Sequence, residues 1–152
     1  MDKVTRFMKE AIKEAKKAEL IDEVPIGCVI VKDGKVISRG HNQRETTQNP
    51  IGHAEIIAIN KAAKKLKSWR LEGCDIYITL EPCIMCSGAI IQSRIRHIYF
   101  GAFDPKGGAL GSSINVLEAN NINHHPDVTS GILIEECSSI ITNYFKSKRE
   151  KK

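Results

Sequence analysis

Pro82-Cys83-Ile84-Met85-Cys86, together with His53-Ala54-Glu55, is the pair of motifs from which the organisation of this 152-residue chain is best inferred. One His and two Cys supply three ligands of the kinds that zinc prefers, whereas a structural zinc site fills all four tetrahedral positions with protein ligands. The fourth position would stay open for a water molecule, whose pKa bound zinc lowers to roughly 7. Glu55 lies two residues after His53, so its carboxylate can lie beside that water without binding the metal.

The spacing of the two cysteines suits the first turn of a helix. Cys83 and Cys86 are three positions apart, so both sulfurs face one way if a strand ends at Pro82 and a helix begins near Cys83. The partial positive charge of a helix N-terminus also favours the thiolate form that zinc requires. His53 follows the turn-like segment 49–52, and apolar residues then recur at helical spacing. We therefore expect two helix N-termini to converge on one metal ion.

Each motif alone has another interpretation. His-x-Glu is common by chance and is more often a solvated helix start. Cys-x-x-Cys is also typical of a thioredoxin-like redox pair or of half a structural zinc site. A structural site would need a fourth ligand, for which Cys74 and Cys137 are candidates, but Cys74 precedes a predicted strand and Cys137 lies in an amphipathic segment that favours the core. The two motifs in this order favour a catalytic zinc site.

Hydrophobic periodicity predicts strands with intervening helices, a pattern typical of a layered α/β fold. The predicted elements are, in chain order, a helix over 3–19, strands over 26–31 and 36–40 joined by a hairpin turn, a loop over 41–52, a helix after His53, a strand over 75–80, the cysteine-bearing helix to about 93, a strand over 97–100, a Gly-rich loop over 101–113, a short helical piece over 114–119, a loop over 120–125, a final strand over 132–134 and a C-terminal helix from about 135.

Composition indicates one domain spanning residues 1–152, because a chain of this length can bury a sizeable core and shows neither repeats nor a linker. The five cysteines cannot all pair, and the N-terminal segment has the pattern of an amphipathic helix rather than of a signal peptide. We therefore expect reduced thiols and a cytoplasmic protein. No apolar run is long enough to cross a membrane.

The segments around the two motifs resemble those of the zinc-dependent cytidine deaminase superfamily and, within it, of the bacterial tRNA-specific adenosine deaminases. The segments that carry the resemblance are 23–27 (EVPIG), 41–42 (HN), 53–55 (HAE), 68–74 (SWRLEGC), 79–83 (TLEPC), 85–86 (MC), 93–95 (SRI) and 104–108 (DPKGG). Cys28 stands where the family more often has alanine, and this small-for-small change has no evident functional consequence.

This resemblance implies a three-layer α/β/α cytidine deaminase-like fold with a central five-stranded mixed sheet. It also implies a homodimer with one Zn²⁺ per subunit, and a hydrolase that acts on a cyclic amidine C–N bond. The implied reaction converts adenosine to inosine at the wobble position (34) of the anticodon of tRNA-Arg(ACG). Single-stranded loops are a suitable target because their bases can be extruded at low cost.

The resemblance also assigns roles to individual residues. His53, Cys83 and Cys86 would bind the zinc ion, and Glu55 would carry a proton from water to a ring nitrogen and then to the leaving ammonia. Asn42 would hydrogen-bond the flipped base, although a lone Asn after a strand more often stabilises a turn. The pocket would be lined by Pro25, Ile26 and Gly27. An alternative role for Gly27 is to allow close packing.

Positive charge indicates where RNA would bind. The formal net charge is +5 and the sequence pI is about 9.0. Basic residues concentrate in a basic C-terminal tail over 143–152 and in a second cluster over 61–70. Such clusters are most often solvated helix faces, but phosphate contacts supply most nonspecific nucleic-acid affinity. The candidate RNA contacts are Arg44, Arg70, Asp104, Lys106, Asn123, Phe145, Lys148 and Arg149.

Two aromatic residues precede the last basic residues. Tyr144 and Phe145 fit core packing of an amphipathic helix, and at least one of them is expected to have that role. The resemblance favours Phe145 as the residue that stacks on an anticodon-loop base, which is worth roughly 1–3 kcal/mol per base.

Three other functions stay open at this point. A deaminase of a free base or nucleoside, such as guanine or cytosine, would use the same zinc chemistry, but the basic tail disfavours it. A redox protein that uses Cys83 and Cys86 would bind no zinc. A noncatalytic, zinc-stabilised RNA-binding module would have four protein ligands or would tolerate Glu55→Ala.

Overall fold

A five-stranded sheet between two layers of helices forms the centre of the computed structural model, which describes residues 1–150. The helices are α1 (Lys3–Leu20), α2 (Ala54–Leu66), α3 (Ile84–Gln92) and α4 (Ile134–Glu150), with a short 3₁₀ helix over Val116–Glu118. The strands are β1 (Gly27–Lys32), β2 (Lys35–His41), β3 (Cys74–Leu80), β4 (His97–Ala102) and β5 (Asp127–Thr129).

The sheet is mixed, as the family resemblance implied. Its strand order is β2-β1-β3-β4-β5. β1 pairs antiparallel with β2 and β3, whereas β3, β4 and β5 run parallel. The β1–β2 connection turns at Asp33 and Gly34, whose φ angles of 52° and 75° are those that a tight hairpin turn requires. The parallel pair β3–β4 is connected through α3, which thereby lies at the end of β3.

The two faces of the sheet bury separate apolar clusters. On one face, α2 and α3 pack on Ile30, Ile76, Ile78 and Ile98. On the other face, α1 and the start of α4 pack on Val29, Val31 and Tyr77. Strand residues alternate between the two clusters, as the period of two along a strand requires. The α/β/α layering places α2 and α3, which carry the candidate metal ligands, on the same face.

Two glycines set how closely helices approach the sheet. A Cβ added at Gly27 would lie 2.0 Å from the backbone oxygen of Ala11 in α1. A Cβ added at Gly40 would lie 2.3 Å from the backbone oxygen of Ala54 in α2. Both contacts are with backbone atoms that cannot move aside alone. Glycine is therefore required where β1 meets α1 and where β2 meets the first turn of α2.

The final strand was placed wrongly from the sequence. Residues 132–134 were expected to form it, but β5 is Asp127–Thr129, and α4 begins at Ile134. Only Val128 of β5 packs on a core cluster, so the strand lacks the apolar alternation that would have revealed it. Ile132 and Leu133 instead pack on the α1 side of the sheet as the chain turns into α4. A short apolar run does not distinguish a buried strand from a buried helix entry.

The other elements agree with the sequence prediction to within a few residues, and β4 extends two residues further than expected, to Ala102. None of the helices over residues 1–150 is long and apolar enough to span a membrane.

Candidate metal centre and active site

The predicted metal ligands converge at the starts of two neighbouring helices. His53 is the extended residue that immediately precedes α2, and Cys83 occupies the same position before α3. Cys86 lies in the first turn of α3 and is buried. The Nδ1 atom of His53 lies 3.7 Å from Sγ of Cys83 and 3.5 Å from Sγ of Cys86. The three ligand atoms are therefore brought together from two motifs that are distant in the sequence.

These distances fit a zinc ion. With a Zn–N bond of about 2.0–2.1 Å and a Zn–S bond of about 2.3 Å, a tetrahedral ion separates its nitrogen and sulfur ligands by about 3.6 Å. The observed 3.5 and 3.7 Å agree with that separation. Across residues 1–150, no fourth His, Cys, Asp or Glu atom joins the group within 4.8 Å. The donor set is that of a site with one position left for a non-protein ligand.

The other cysteines do not complete the group. Cys74 begins β3 and is buried in the cluster beneath α2 and α3. Cys137 is buried on the opposite face of the sheet, near the start of α4. Both therefore have the structural positions that the sequence favoured for them, and neither is the fourth ligand that a structural zinc site would need.

The titration of the two ligand cysteines is mutually dependent. Hydrogen bonds donated by the Cys86 thiol and by the His53 imidazole lower the pKa of Cys83. The same Cys83–Cys86 hydrogen bond, with burial, raises the pKa of Cys86. The hydrogen bond to Cys83 also raises the pKa of His53. Since zinc binds thiolates and neutral imidazole, binding at this group would release protons.

Glu55 lies beside the ligand group and is buried. It is in the first turn of α2 and only 4% exposed. Burial raises the pKa of its carboxyl to about 7, and a hydrogen bond from its own backbone N–H and the charge of His53 partly offset this effect. A carboxyl with a pKa near neutrality can both accept and return a proton, which is the property that general acid–base catalysis uses.

A cavity of about 90 Å³ opens onto these groups. Its lining residues are Ile26, His53, Glu55, Leu80, Glu81, Cys83 and Asp104. Of the residues predicted to line the substrate pocket, Ile26 is here, whereas Pro25 and Gly27 are buried outside this lining. Gly27 has the packing role described above, and its backbone N–H donates to Oγ1 of Thr79 at 3.1 Å.

Asn42 is 6% exposed and makes local contacts. Its Nδ2 lies 3.5 Å from the carbonyl oxygen of Val24, and its Oδ1 lies 3.4 Å from the backbone nitrogen of Arg44. Both distances are long for hydrogen bonds, so the side chain is held only weakly in the turn. A contact from Asn42 to a bound base stays a prediction.

Two buried carboxylates, Glu81 and Glu23, each hold a loop, and the sequence analysis assigns neither of them a role. Glu81 accepts hydrogen bonds from the backbone of Asp104, Leu110 and Ser112. Burial raises its pKa, but the hydrogen bonds outweigh this effect and hold the pKa below its ordinary value.

Glu23 has the corresponding role in the loop that follows β2. Its carboxylate accepts hydrogen bonds from the backbone of Glu45 and from the backbone and hydroxyl of Thr46. Glu81 lies between the apolar residues Leu80 and Pro82, which is a sign of burial, but Glu23 follows Asp22 and has no such sign, and nothing in the sequence indicates the partners of either carboxylate.

The predicted RNA contacts are mostly on the surface. Six of them are exposed, namely Arg44, Arg70, Lys106, Asn123, Phe145 and Arg149. Arg70 lies 4.9 Å from the ring of Trp69, which is itself exposed. Lys148 is half-buried and forms an ion pair with Asp22. Asp104 is half-buried, and its Oδ1 accepts hydrogen bonds from the backbone of Lys106 and Gly107.

In the basic C-terminal tail, α4 continues to Glu150, and Lys151 and Lys152 lie outside the described residues. Tyr144 donates its hydroxyl hydrogen to Asp22, so it is the aromatic residue of the pair that is tied to the protein. Phe145 is 43% exposed. Neither ring belongs to the two core clusters of the described residues, so the core packing expected for at least one of them is not observed, and Tyr144 is held by its hydroxyl group instead.

Comparison with known proteins gives a consistent result. The family model described as MafB19-like deaminase matches residues 1–149. The chain is 53% identical to the tRNA-specific adenosine deaminase of Bacillus subtilis (strain 168) over 146 residues, which is 96% of this chain and 91% of that protein. A solved structure from a study of A-to-I editing by tRNA:A34 deaminases at the wobble position of transfer RNA is also similar. Its TM-score is 0.87 and its identity 46%, and the match covers 90% of this chain and 99% of that one.

A more distant likeness bears on the fold alone. The structure of a guanine deaminase from Nitrosomonas europaea matches with a TM-score of 0.74, covering 90% of this chain and 81% of that one, but only 22% of the residues are identical. The fold is therefore shared with deaminases of different names, and the fold alone does not select among their substrates.

Proposed function

The chain belongs to the family of tRNA-specific adenosine deaminases, and we propose that it converts adenosine to inosine at wobble position 34 of the anticodon of tRNA-Arg(ACG). The observation that carries the proposal is the position of Glu55, which is buried beside a group of three zinc-type ligands and lines the same cavity. The whole chain, residues 1–152, is proposed to form this single deaminase domain.

His53, Cys83 and Cys86 would hold one zinc ion, because their ligand atoms have the separations of a tetrahedral site. Zinc bound there would supply an activated water molecule as the nucleophile. In the proposed reaction, the water oxygen forms a bond to C6 of the base and the C6–N6 bond breaks, which releases ammonia. The products are inosine and ammonia, so atoms balance without a further reactant.

Glu55 would move the protons in this reaction. Its carboxylate takes a proton from the attacking water and delivers it to the ring nitrogen next to C6, and it then helps to protonate the leaving amine. Because the side chain is buried in the cavity wall, solvent competes little for these protons. Ile26 and Leu80 provide apolar walls against which a purine ring could lie.

A tRNA substrate is supported by the basic surface. Arg44, Arg70 and Lys106 are exposed cations, and phosphate contacts of this kind position RNA without reading its sequence. We also propose a homodimer and a cytoplasmic location, in line with the family. Deamination of a free base such as guanine or cytosine is the alternative, and it would need no such surface.

The test is inosine formation in an anticodon stem-loop of tRNA-Arg(ACG). Wild-type protein is compared with Glu55→Ala, and free adenosine, guanine and cytosine are assayed in parallel. We expect conversion of the stem-loop by the wild type only, with Glu55→Ala at least about 10²–10⁴-fold slower, the range typical for a lost general acid–base.

Zinc content and thermal unfolding of Glu55→Ala are the controls, and both should match the wild type because Glu55 is not a ligand. Turnover by Glu55→Ala at the wild-type rate would contradict the role of this residue. Failure of folded, zinc-loaded wild type to convert the stem-loop, with conversion of guanine or cytosine, would replace the RNA substrate by a free base. A stem-loop with another A34 anticodon tests whether the enzyme is restricted to the arginine tRNA.

A further inference from the structure

All the hydrogen bonds that the Glu81 carboxylate is seen to accept come from one loop. It follows β3, precedes Pro82, and is 2% exposed. Its Oε1 accepts from the backbone N–H of Asp104 at 3.1 Å and from the hydroxyl of Ser112. Its Oε2 accepts from the backbone N–H groups of Leu110 at 3.0 Å and Ser112 at 3.1 Å. All the donors lie in the segment 103–113, called here the 103–113 loop.

The 103–113 loop packs tightly around this carboxylate. A Cβ added at Gly108 would lie 2.3 Å from Cδ of Glu81 and 2.6 Å from the backbone oxygen of Asp104. The loop backbone therefore passes directly over the carboxyl group. Buried hydrogen bonds to a charged group are the stronger kind, so this contact holds the loop more firmly than a neutral side chain would.

The contact reaches the cavity through Asp104. Glu81 accepts a hydrogen bond from the backbone nitrogen of Asp104, and Asp104 lines the same cavity as Glu55. Oδ1 of Asp104 in turn accepts from the backbone N–H groups of Lys106 at 3.2 Å and Gly107 at 3.1 Å. The orientation of the cavity wall and of the exposed Lys106 thus depends on Glu81.

We propose that Glu81 is a positioning residue for the substrate, which acts by fixing the 103–113 loop and with it two residues, Asp104 in the cavity wall and the exposed Lys106 that follows it. Glu81 contributes to substrate binding rather than to proton transfer, because its oxygens are occupied by loop donors. The kinetic part of this proposal rests on the proposed function, whereas the structural part does not.

The first test uses trypsin. In Glu81→Gln, an amide NH₂ group replaces one of the two carboxylate oxygens, whichever way the amide is turned. That NH₂ group is a donor and cannot accept the hydrogen bonds from the loop, so the loop loses part of its attachment. We expect cleavage between Lys106 and Gly107, followed by mass spectrometry, to become at least about ten-fold faster, in proportion to the population of the open loop. Cleavage after Arg44, in the loop held by Glu23, should stay at the wild-type rate.

Glu23→Gln is the matched control, because it removes the same kind of attachment from the other loop. It should accelerate cleavage after Arg44 and leave Lys106 protected. Gly108→Ala is a second variant that should expose Lys106 to trypsin, because its Cβ displaces the loop while the Glu81 carboxylate is retained. It replaces Glu81→Gln in this test if Glu81→Gln does not fold. Protection of Lys106 at the wild-type level in both folded variants would overturn the proposal.

The second test separates positioning from a general loss of structure. With the tRNA-Arg(ACG) stem-loop, Glu81→Gln should raise KM by about ten-fold while kcat stays within about three-fold, the pattern of lost substrate binding. Zinc content should equal that of the wild type. A fall in kcat with unchanged KM would overturn the positioning role. If the wild type itself does not convert the stem-loop, the proposed function fails, and the proteolysis still decides whether Glu81 holds the loop.

Discussion

Sγ of Cys83 lies 3.7 Å from Nδ1 of His53, although the two residues are thirty positions apart in the chain. Each residue immediately precedes a helix on the same face of the sheet. A metal ion bound between them would therefore connect the start of α2 to the start of α3. The energy of metal binding would add to the stability of this face, because the unfolded chain does not hold the ligands together.

Replacing either cysteine should remove the metal. In Cys83→Ser or Cys86→Ser, we expect zinc to fall from about one per chain to below about 0.1 after dialysis, because a hydroxyl is a much poorer zinc ligand than a thiolate. Elemental analysis of the purified protein measures this, and thermal unfolding with and without added zinc measures the linked stability. Cys28→Ala is the control, since Cys28 is buried in the sheet and is not part of the ligand group, so its replacement should leave zinc unchanged. Full zinc content in Cys86→Ser would contradict its assignment as a ligand.

The grouping of the three candidate ligands could be predicted from the sequence because each motif is local. Cys83 and Cys86 share a helix turn, and His53 and Glu55 share another, so spacing alone determines most of their relative geometry. The order of strands and helices was predictable for the same reason. The carboxylates of Glu23 and Glu81 were not, because their partners lie twenty or more residues away and are backbone N–H groups, which leave no mark in the sequence. The strand Asp127–Thr129 was missed because its pairing with β4, rather than its own composition, makes it a strand.

Alanine should have opposite effects at two glycines. Gly27→Ala would place a Cβ 2.0 Å from the backbone oxygen of Ala11 and 2.3 Å from the backbone nitrogen of Ala15. We expect a loss of about 1–3 kcal/mol in the free energy of unfolding, or more if α1 has to move away from β1. Gly88→Ala is the control, because its Cβ would meet no atom within 4 Å and alanine is the better helix former by roughly 0.5–1 kcal/mol. Urea unfolding at one fixed protein concentration measures both, and equal stability of Gly27→Ala and wild type would contradict the close packing.

Acid should remove the stabilisation that Glu23 provides. Burial raises the pKa of Glu23, but hydrogen bonds from Thr46 and Glu45 outweigh that effect and hold the pKa below its ordinary value. A carboxyl whose pKa is lowered by folding stabilises the protein above its unfolded pKa, and this contribution disappears as the pH falls through the folded pKa. Glu23→Gln should therefore cost about 1–3 kcal/mol at pH 7, the cost of unpaired donors around a buried site.

The pH dependence of the stability lost in Glu23→Gln shows whether the loss comes from the missing charge or from altered packing. We expect the difference in unfolding free energy between wild type and Glu23→Gln to be largest at pH 6–7 and to shrink at pH values below the ordinary carboxyl pKa of about 4.3. Urea unfolding of both proteins at several pH values provides the measurement. A difference that stays constant down to the lowest pH would mean that the ionised carboxylate is not what holds the loop.

Substitutions at two neighbouring aromatic residues on α4 should have different effects, one on RNA binding and the other on stability. Phe145 is 43% exposed, whereas Tyr144 donates its hydroxyl hydrogen to the backbone oxygen of Asp22 at 3.1 Å. Stacking on an extruded base is worth roughly 1–3 kcal/mol, so Phe145→Ala should weaken stem-loop binding by about 5- to 150-fold. Tyr144→Phe should leave binding unchanged and lower the free energy of unfolding by about 0.5–1.5 kcal/mol, the usual net value of one hydrogen bond.

Binding is best measured in the Glu55→Ala background, where the stem-loop is not consumed, with thermal unfolding of each variant as the second readout. Phe145→Ala should unfold at the same temperature as its parent, because the exposed ring contributes little to the core. If Phe145→Ala binds as tightly as its parent while Tyr144→Phe binds more weakly, the residue that contributes to RNA binding is Tyr144, through its hydroxyl group, and Phe145 does not stack on a base. If neither substitution changes the affinity, the end of α4 does not contact the anticodon loop, and the exposed cations Arg44, Arg70 and Lys106 become the residues to replace next.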